Sequence, residues 1–314
     1  MTVVEQSEGL VVVDTGGSPG AGRRVVELIR SVTAKPVKAV ILTHWHGDHP
    51  LGLPSILEAW PGARVIAHEQ TRRHLLGAPM GDFPQTAPTA EADRTLADRA
   101  RQAHDRLAQM SNDPDRPDWE RRGYAAALPV FQALETDMAG VHVIAPDQTF
   151  VTRLTLHDDG APVEISHIGR ANTDGDAVVW LPLQRVVITG DIVVAPIPFG
   201  FGSYPAEWIE VLNHIIALDF AVLVPGHGPI QTDTDYLDNL AVLLDAVRVQ
   251  AGEAVDLGLD LSQTRERMDL TTFREQFSQG DPWLAFWFDR YWAAPIAAAA
   301  WKEASGLEII QGEP

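Results

Sequence analysis

Cysteine is absent from the 314 residues of this sequence. Its absence excludes disulfide bonds, a thiolate nucleophile and thiolate metal ligands, and it leaves the redox compartment open. Positive charge is also scarce, because 24 lysine and arginine residues stand against 43 aspartate and glutamate residues, a formal net charge of −19. Such a field repels phosphate backbones and anionic membrane surfaces, so we predict no nucleic-acid partner.

Long apolar runs are missing as well. None reaches the roughly 18 residues that a membrane span needs, so we predict no such span. The N-terminal residues MTVVEQSEGLVVVDTG lack the basic and apolar regions of a signal peptide. The compartment therefore stays open: cytoplasmic as written, or periplasmic or secreted if the N-terminus is trimmed. The expected partner is a small-molecule substrate, and the oligomeric state is open.

Short apolar runs alternate with helical patterns through the first part of the chain. Residues 10–13 and 37–42 are typical of strands, and residues 21–31 between them have the apolar spacing of a helix. A short helix at 54–60 and a strand at 63–67 continue the series. Strand, helix and strand in this order indicate an α/β protein.

Two further segments are mainly helical. Residues 90–138 are rich in alanine and in charge, with helical periodicity, and predict a helical insertion within a domain that spans residues 1–231. Residues 232–314 predict a helical extension packed on the same domain. Its segment WLAFWFDRYW is interpreted as a helix that packs in the core or in a dimer.

The segment ILTHWHGDHPLG follows directly on the second predicted strand. It holds His44, His46, Asp48 and His49 within six positions. Imidazole nitrogens and carboxylate oxygens are the ligands that zinc-type ions take when no thiolate is present. We therefore interpret the segment as part of a metal site. The histidines without such a context are expected in packing or on the surface: His68, His74, His104, His142, His157 and His214.

Two later apolar runs have the same layout, a strand that ends in glycine and a ligand-type residue. VVITGD ends in Asp191, and AVLVPGHG presents His227 between two glycines. Glycine allows a sharp turn and the close approach of a ligand. Together with the histidine segment, these residues predict one ordered metal-binding constellation.

This ordered set resembles the metallo-β-lactamase-fold hydrolase superfamily. The resemblance covers about residues 3–231 and rests on Asp14-Thr15-Gly16, the segment 44–49, Thr189-Gly190-Asp191 and Pro225-Gly226-His227-Gly228. It implies an α/β (α+β) fold, a four-layer αββα sandwich with the metal site at one edge of the paired sheets. It also implies two zinc ions. By the same resemblance His44 and His46 bind the first ion, Asp48, His49 and His227 bind the second, and Asp191 bridges them.

One position departs from the pattern of that superfamily. Asn172 in HIGRANTDGDAVV stands where a Gly-His-Thr turn usually supplies a third histidine to the first ion. An amide oxygen is a weaker zinc ligand than imidazole, so the first ion should be held less tightly. His167 is an alternative ligand or a neighbour of the ligands. A single zinc ion, or iron, stays open as an alternative cofactor.

The resemblance implies hydrolysis. Water bound to such a metal becomes hydroxide near neutral pH, and Asp48 could orient it and take its proton. The expected target is the carbonyl of an ester, a thioester, a lactone or a β-lactam. Two alternatives stay open: a mononuclear iron oxygenase similar to the persulfide dioxygenases, and a metal-binding module without catalysis. The loop PIPFGFGSYPAEW, with Phe199, Phe201 and Tyr204, is the candidate wall of a substrate pocket.

Overall fold

A computed structural model describes residues 1–158 and 160–312 of the chain. The strands are β1 (Thr2–Glu5), β2 (Leu10–Val13), β3 (Val37–Ile41), β4 (Arg64–His68), β5 (Gln148–Phe150), β6 (Arg153–Leu156), β7 (Val163–Ser166), β8 (Val178–Leu181), β9 (Val186–Val194) and β10 (Val222–His227). They form two sheets, of order β1-β2-β3-β4-β5 and β10-β9-β8-β7-β6.

The helices surround these strands in sequence. They are α1 (Pro19–Val32), α2 (Leu53–Ala59), α3 (Glu69–Leu75), α4 (Ala90–Asn112), α5 (Asp118–Asp137), α6 (Pro205–Ala217), α7 (Asp235–Asp256), α8 (Leu261–Arg267), α9 (Thr271–Ser278), α10 (Pro282–Trp287) and α11 (Ala294–Ala304). A 3-10 turn spans Ala78–Met80 and a π-helical segment spans Phe288–Ala293. Among the described residues, no helix has both the length and the mean hydropathy required to cross a membrane.

The chain divides into two compact units. The first unit consists of Val3–Ile66 and Arg72–Gln148, and the second consists of Ala67–Thr71 and the residues from Thr149 onward. The predicted helical insertion belongs to the first unit, as helices α4 and α5. The predicted C-terminal extension belongs to the second unit, where it begins with α7. The domain boundary predicted near residue 231 stays a prediction.

The first unit is organised by parallel strands. Strand β3 pairs in parallel with β2 and with β4, and every residue of β2 is buried. Such buried parallel strands are continuous apolar runs, as the sequence has here. Helix α1 begins after Ser18, whose hydroxyl accepts a hydrogen bond from the Ala21 amide at 3.1 Å. The carboxyl ends of β2 and β3 therefore lie side by side, with a loop leaving each.

The second unit has a large apolar core. Helix α7 buries leucine, valine and alanine side chains at a spacing of three and four residues, and it packs against α6 and α11. Trp208 on α6 donates a hydrogen bond from its indole nitrogen to the Ile192 carbonyl at 3.1 Å, which joins the helix to β9. Trp292 packs edge-on against Trp208, with ring centroids 5.8 Å apart. The C-terminal helices thus share one core with α6.

Strand β9 corrects one expectation from the sequence. The apolar run VVITGD was interpreted as ending at Asp191, but β9 continues to Val194. Gly190 adopts a φ of 53°, and the register between β10 and β9 shifts on both sides of Pro225. These irregularities turn the backbone locally without ending the strand. Asp191 therefore lies within a strand, between Gly190 and Val194, which both pair with β10, rather than in a loop.

Candidate metal-ligand residues

The first unit brings four predicted ligands together, and we call them the first ligand cluster: His44, His46, Asp48 and His49. All four lie in the loop that leaves β3. His44 Nε2 and His46 Nδ1 are 3.0 Å apart, and His49 Nε2 lies 3.7 Å from Asp48 Oδ2. Two nitrogens on one tetrahedral zinc ion, each about 2.0–2.1 Å from the metal, would be about 3.3 Å apart. The spacing of each pair therefore suits a shared cation.

Asp14 braces this cluster from the neighbouring strand. It follows β2 with a φ of 58°, and its side chain is buried. Asp14 Oδ2 accepts a hydrogen bond from His49 Nδ1 at 2.9 Å and another from the Thr43 hydroxyl at 2.8 Å. Its Oδ1 accepts from the Thr43 amide at 2.8 Å. The Asp14 carboxylate thus accepts three hydrogen bonds.

These bonds determine the tautomers of two histidines. A carboxylate only accepts, so His49 carries its proton on Nδ1 and presents Nε2 as an unprotonated nitrogen. The Thr43 hydroxyl gives its proton to Asp14, so it accepts from His44 Nδ1 at 3.0 Å. His44 therefore also presents Nε2. Metal-binding histidines usually have this arrangement, with the second ring nitrogen held by a carboxylate or a hydroxyl.

The neighbours of the Asp14 carboxyl lower its pKa. Burial by itself would raise the pKa of the Asp14 carboxyl, but the charge and the hydrogen bond of His49 lower that pKa below its ordinary value. Asp14 therefore stays ionised at neutral pH and acts as a fixed acceptor. Asp48 differs, because 52% of its side chain is exposed. As an exposed carboxylate within the first ligand cluster, Asp48 can take part in proton transfer.

The second unit holds the other two predicted ligands, Asp191 and His227, which we call the second ligand cluster. His227 Nε2 lies 3.5 Å from Asp191 Oδ1. Gly226 makes this approach feasible, because a Cβ atom at that position would lie 2.0 Å from Asp191 Oδ1. Asp191 is buried, whereas 47% of the His227 side chain is exposed. This pair also has the spacing of ligands on one cation.

Asn172 and His167 have different surroundings in the second unit. Asn172 is fully buried, and its Nδ2 donates to the Phe199 carbonyl at 2.9 Å. Its Oδ1 is buried with no hydrogen-bond partner in the part of the chain that the structure describes. A buried amide oxygen of this kind is costly unless something pairs with it. A cation or a substrate hydrogen-bond donor would supply that partner.

His167 instead faces a cavity of about 600 Å³. Its Nδ1 donates to the Asp176 carbonyl at 2.8 Å, and its ring stacks on His68 with centroids 4.1 Å apart. His68 donates from Nε2 to the Val151 carbonyl at 3.0 Å. Burial and the charge of His167 lower the pKa of His68 to about 4. His68 is therefore largely neutral at neutral pH, and its ring stacks on that of His167.

Of the three candidate pocket residues, Tyr204 lines this same cavity. Arg170 lies over its ring at 4.3 Å from the centroid. Phe199 and Phe201 are in contact with each other, at 4.9 Å between centroids, and neither is among the described residues that line the cavity. Within the loop that holds these three residues, Tyr204 therefore lines the cavity, whereas Phe199 and Phe201 lie outside it.

Two supporting residues received no role from the sequence, Asp14 and Thr43. Asp14 was recognised only as part of a motif. The sequence did contain a signal for this contact, because Asp14 directly follows one predicted strand and the histidine segment follows the next. The carboxyl ends of adjacent parallel strands meet at one edge of a sheet, where such side chains can bond.

Comparison with known proteins gives a consistent set of relatives. The sequence profile of the metallo-beta-lactamase superfamily matches residues 1–227. A linear primary-alkylsulfatase from Pseudomonas sp. (strain ATCC 19151) is 26% identical over 243 residues, which cover 72% of this chain and 40% of the relative. A metallo-beta-lactamase type 2 from Bacillus cereus is 22% identical over 234 residues, which cover 73% of this chain and 66% of the relative. The chain thus spans less than two thirds of either relative.

Solved structures agree at the level of the fold. The stereoselective inverting sec-alkylsulfatase Pisa1 from Pseudomonas sp. is similar with a TM-score of 0.65 and 16% identity, over 98% of this chain and 48% of that one. A metallo-beta-lactamase from Pontibacter korlensis is similar with a TM-score of 0.50 and 21% identity, over 77% of this chain and 85% of that one. At these identities the similarity concerns the fold alone.

Proposed function

Because the chain belongs to the metallo-β-lactamase superfamily, we propose that it is a metal-dependent hydrolase whose predicted ligand residues hold the metal. The superfamily profile extends over both clusters. The proposal assigns His44 and His46 to one zinc ion, Asp48, His49 and His227 to a second, and Asp191 to both. The sites differ in strength, because Asn172 stands where a third histidine would complete the first.

The observation that carries this proposal is that Asp14 holds two of the three histidines of the first ligand cluster, His49 directly and His44 through the Thr43 hydroxyl. A loop with incidental histidines has no reason to fix the tautomer of each one. Here His44 and His49 are both held through Nδ1, directly by Asp14 or through the Thr43 hydroxyl. Both Nε2 atoms are therefore prepared to bind a cation.

Each side chain then has a task in hydrolysis. Zinc, when bound, lowers the pKa of a water molecule and polarises the bond to be cleaved. Asp48, half exposed next to His49, is placed to accept the proton of the attacking water. Asn172 can turn its buried amide oxygen toward a donor on the substrate or toward the weaker ion. Asp14 keeps the histidines oriented and takes no part in the chemistry.

The substrate class proposed is an ester-type bond. Carboxylic esters, thioesters, lactones and β-lactams present a carbonyl for attack, and a sulfate ester is a further candidate because of the named alkylsulfatase relatives. Polyanionic substrates such as RNA are disfavoured by the net charge of −19. The ester classes are therefore the ones to test first.

The decisive experiment combines elemental mass spectrometry of the purified protein with a panel of substrates. The panel contains a carboxylic ester, a thioester, a homoserine lactone, nitrocefin, a phosphodiester and an alkyl sulfate. We expect bound zinc and turnover of at least one ester-type substrate. Iron together with oxygen consumption would instead favour an oxygenase. Bound metal without turnover of any substrate would favour a binding module.

Substitutions test the assignment of the clusters. His46→Ala and Asp48→Ala should each abolish turnover and leave the circular dichroism spectrum unchanged. His104→Ala and Asp98→Ala are the matched controls, since both residues lie on α4 of the first unit, outside the cluster. Turnover that persists in a folded, metal-depleted variant would contradict the mechanism.

A further inference from the structure

Six aromatic side chains of the second unit form a continuous series of ring contacts, which we call the aromatic ladder. The distances between successive ring centroids are 4.9 Å for Phe199–Phe201, 6.3 Å for Phe201–Tyr291, 4.8 Å for Tyr291–Trp287, 6.2 Å for Trp287–Trp283 and 5.3 Å for Trp283–Phe286. The ladder thus joins the loop after β9 to the aromatic segment near the C-terminus.

The ladder lies at the surface, unlike the aromatic residues beside it. Trp287 is 41% exposed, and the other five members are partly exposed. Phe288 and Trp292 of the same segment are fully buried in the core. The segment therefore has two apolar faces, of which only one is used for packing inside the unit. An apolar strip left in contact with water commonly marks a binding surface.

The backbone holds the two parts of the ladder together. The Gly200 amide donates a hydrogen bond to the Tyr291 carbonyl at 2.9 Å. Trp283, Trp287 and Tyr291 are spaced by four residues, so they share one face of a continuous helical stretch. The π-helical segment Phe288–Ala293 lies within that stretch, which continues directly into α11. Such π-turns are rare and occur frequently at functional sites.

One end of the ladder reaches the candidate metal-ligand residues. The Phe199 carbonyl accepts the hydrogen bond from Asn172 Nδ2 at 2.9 Å. The superfamily resemblance predicts that Asn172 stands in place of a ligand histidine, and its other amide atom is the buried, unpaired Oδ1. A molecule whose reacting group lies at Asn172 could therefore extend along the rings toward Trp287.

We propose that the aromatic ladder binds the apolar portion of the substrate, an extended alkyl chain, while the scissile ester lies at Asn172. This inference rests on the proposed function, because it names the substrate class of that same site. The rings of the ladder belong to phenylalanine, tyrosine and tryptophan side chains, so the contact that they offer is mainly apolar. The strip is one ring wide, and only Trp287 is more than a third exposed. A stable protein interface needs about 800 Å² on each partner, which such a strip does not offer.

The first test measures binding without chemistry. A dodecanol with a terminal bromine has no scissile bond and quenches tryptophan fluorescence on contact. We expect saturable quenching in the wild type, and a dissociation constant raised at least about fivefold in Phe201→Ala and in Tyr291→Ala. Both variants keep every tryptophan, so the signal itself is preserved. Leu257→Ala is the control, because Leu257 is 61% exposed in the second unit and outside the ladder.

The second test uses para-nitrophenyl butyrate, octanoate and dodecanoate. Each methylene moved from water onto an apolar surface favours binding, so kcat/KM should rise at least about tenfold from butyrate to dodecanoate. The ratio of kcat/KM for dodecanoate to kcat/KM for butyrate should fall toward one in Phe201→Ala and Tyr291→Ala. It should stay at the wild-type value in Leu257→Ala. Circular dichroism checks that each variant is folded.

The outcomes separate this inference from the proposed function. Equal probe binding in wild type and both ladder variants would overturn the inference, whatever the esters do. Ladder-dependent probe binding without hydrolysis of any ester would support the ladder and count against the proposed hydrolase. If Trp287→Ala abolished a dimer or vesicle binding while probe binding stayed unchanged, the ladder would be a protein or lipid contact and the inference wrong.

Discussion

Asp14 and His49 are joined by a hydrogen bond of 2.9 Å between two buried side chains, from His49 Nδ1 to Asp14 Oδ2. The residues are 35 positions apart in sequence and leave neighbouring parallel strands. Their bond converts a histidine-rich loop into a set of ligands with determined protonation. The same carboxylate holds the Thr43 hydroxyl, and through it His44.

Asp14→Asn should weaken metal binding without unfolding the protein. The Thr43 amide already donates to one oxygen of Asp14, so the new NH₂ group would face the Nδ1 proton of His49. His49 would then have to move its proton to Nε2, the nitrogen proposed to bind the cation. We expect about a 10–100-fold loss of zinc affinity in a chelator competition titration. Asp137→Asn, which removes only a surface ion pair with Arg24, is the control. Unchanged affinity in a folded Asp14→Asn protein would contradict the bracing role.

Asn172→His should increase the amount of metal retained. The imidazole Nδ1 can replace Nδ2 as donor to the Phe199 carbonyl, which leaves Nε2 as a third nitrogen for the weaker ion. After dialysis against a chelator, elemental mass spectrometry should find more zinc per chain than in the wild type. Asn172→Ala should retain no more than the wild type. Equal zinc in all three proteins would mean that residue 172 is not part of the metal site.

Gly226→Ala should disrupt the second ligand cluster. Its Cβ would lie 2.0 Å from Asp191 Oδ1 and 2.7 Å from the Gly190 carbonyl carbon, so the two strands must separate locally. We expect a loss of about 1–3 kcal/mol in the free energy of unfolding in urea, together with weaker zinc binding. Gly252→Ala is the control, because that glycine lies in α7 with open space around it. Replacing Gly252 by alanine should stabilise α7 by about 0.5–1 kcal/mol. A wild-type zinc affinity in Gly226→Ala would contradict the close approach.

The stacked pair His68 and His167 predicts a dependence of stability on acid. The pKa of His68 is lowered to about 4 from 6.5, so below pH 6.5 the unfolded chain binds a proton that the folded chain does not. Stability should therefore fall as the pH decreases from about 6.5 to about 4, by up to about 3 kcal/mol from this residue. Urea unfolding across that range should show a smaller loss in His68→Gln than in the wild type. Parallel pH profiles would assign the acid sensitivity to other groups.

The fold class predicted from the sequence is confirmed by the family profile and by the structural neighbours. Its strands and helices could be located from apolar runs and helical spacing because each is a local pattern. Helix α1 begins two residues earlier than predicted, at Pro19, because the Ser18 hydroxyl caps it. Strand β9 passes through Asp191 because Gly190 takes a left-handed conformation, which a run of sequence letters does not reveal.

The ligand residues were recognisable because their types are unusual at strand ends, whereas their supports were not. Asp14 and Thr43 act through bonds between adjacent strands, and Phe199 holds Asn172 through its main-chain carbonyl, which any residue could provide. The ladder also joins segments about 90 residues apart, at Phe201 and Tyr291. Contacts of this kind depend on tertiary structure. The metal assignments themselves stay predictions until metal is measured.

The residues that orient the first ligand cluster, Asp14 and Thr43, follow strands β2 and β3. The hydrogen bonds that hold Nδ1 of His44 and of His49 come from two adjacent strands and the loops that leave them. The aromatic ladder belongs to a loop and to helices that form no part of those strands. Substitutions there can alter which molecules are accepted while the histidines keep their protonation. Under the proposed function, selectivity can thus diverge among descendants of this chain while the bonds that orient the histidines are inherited intact.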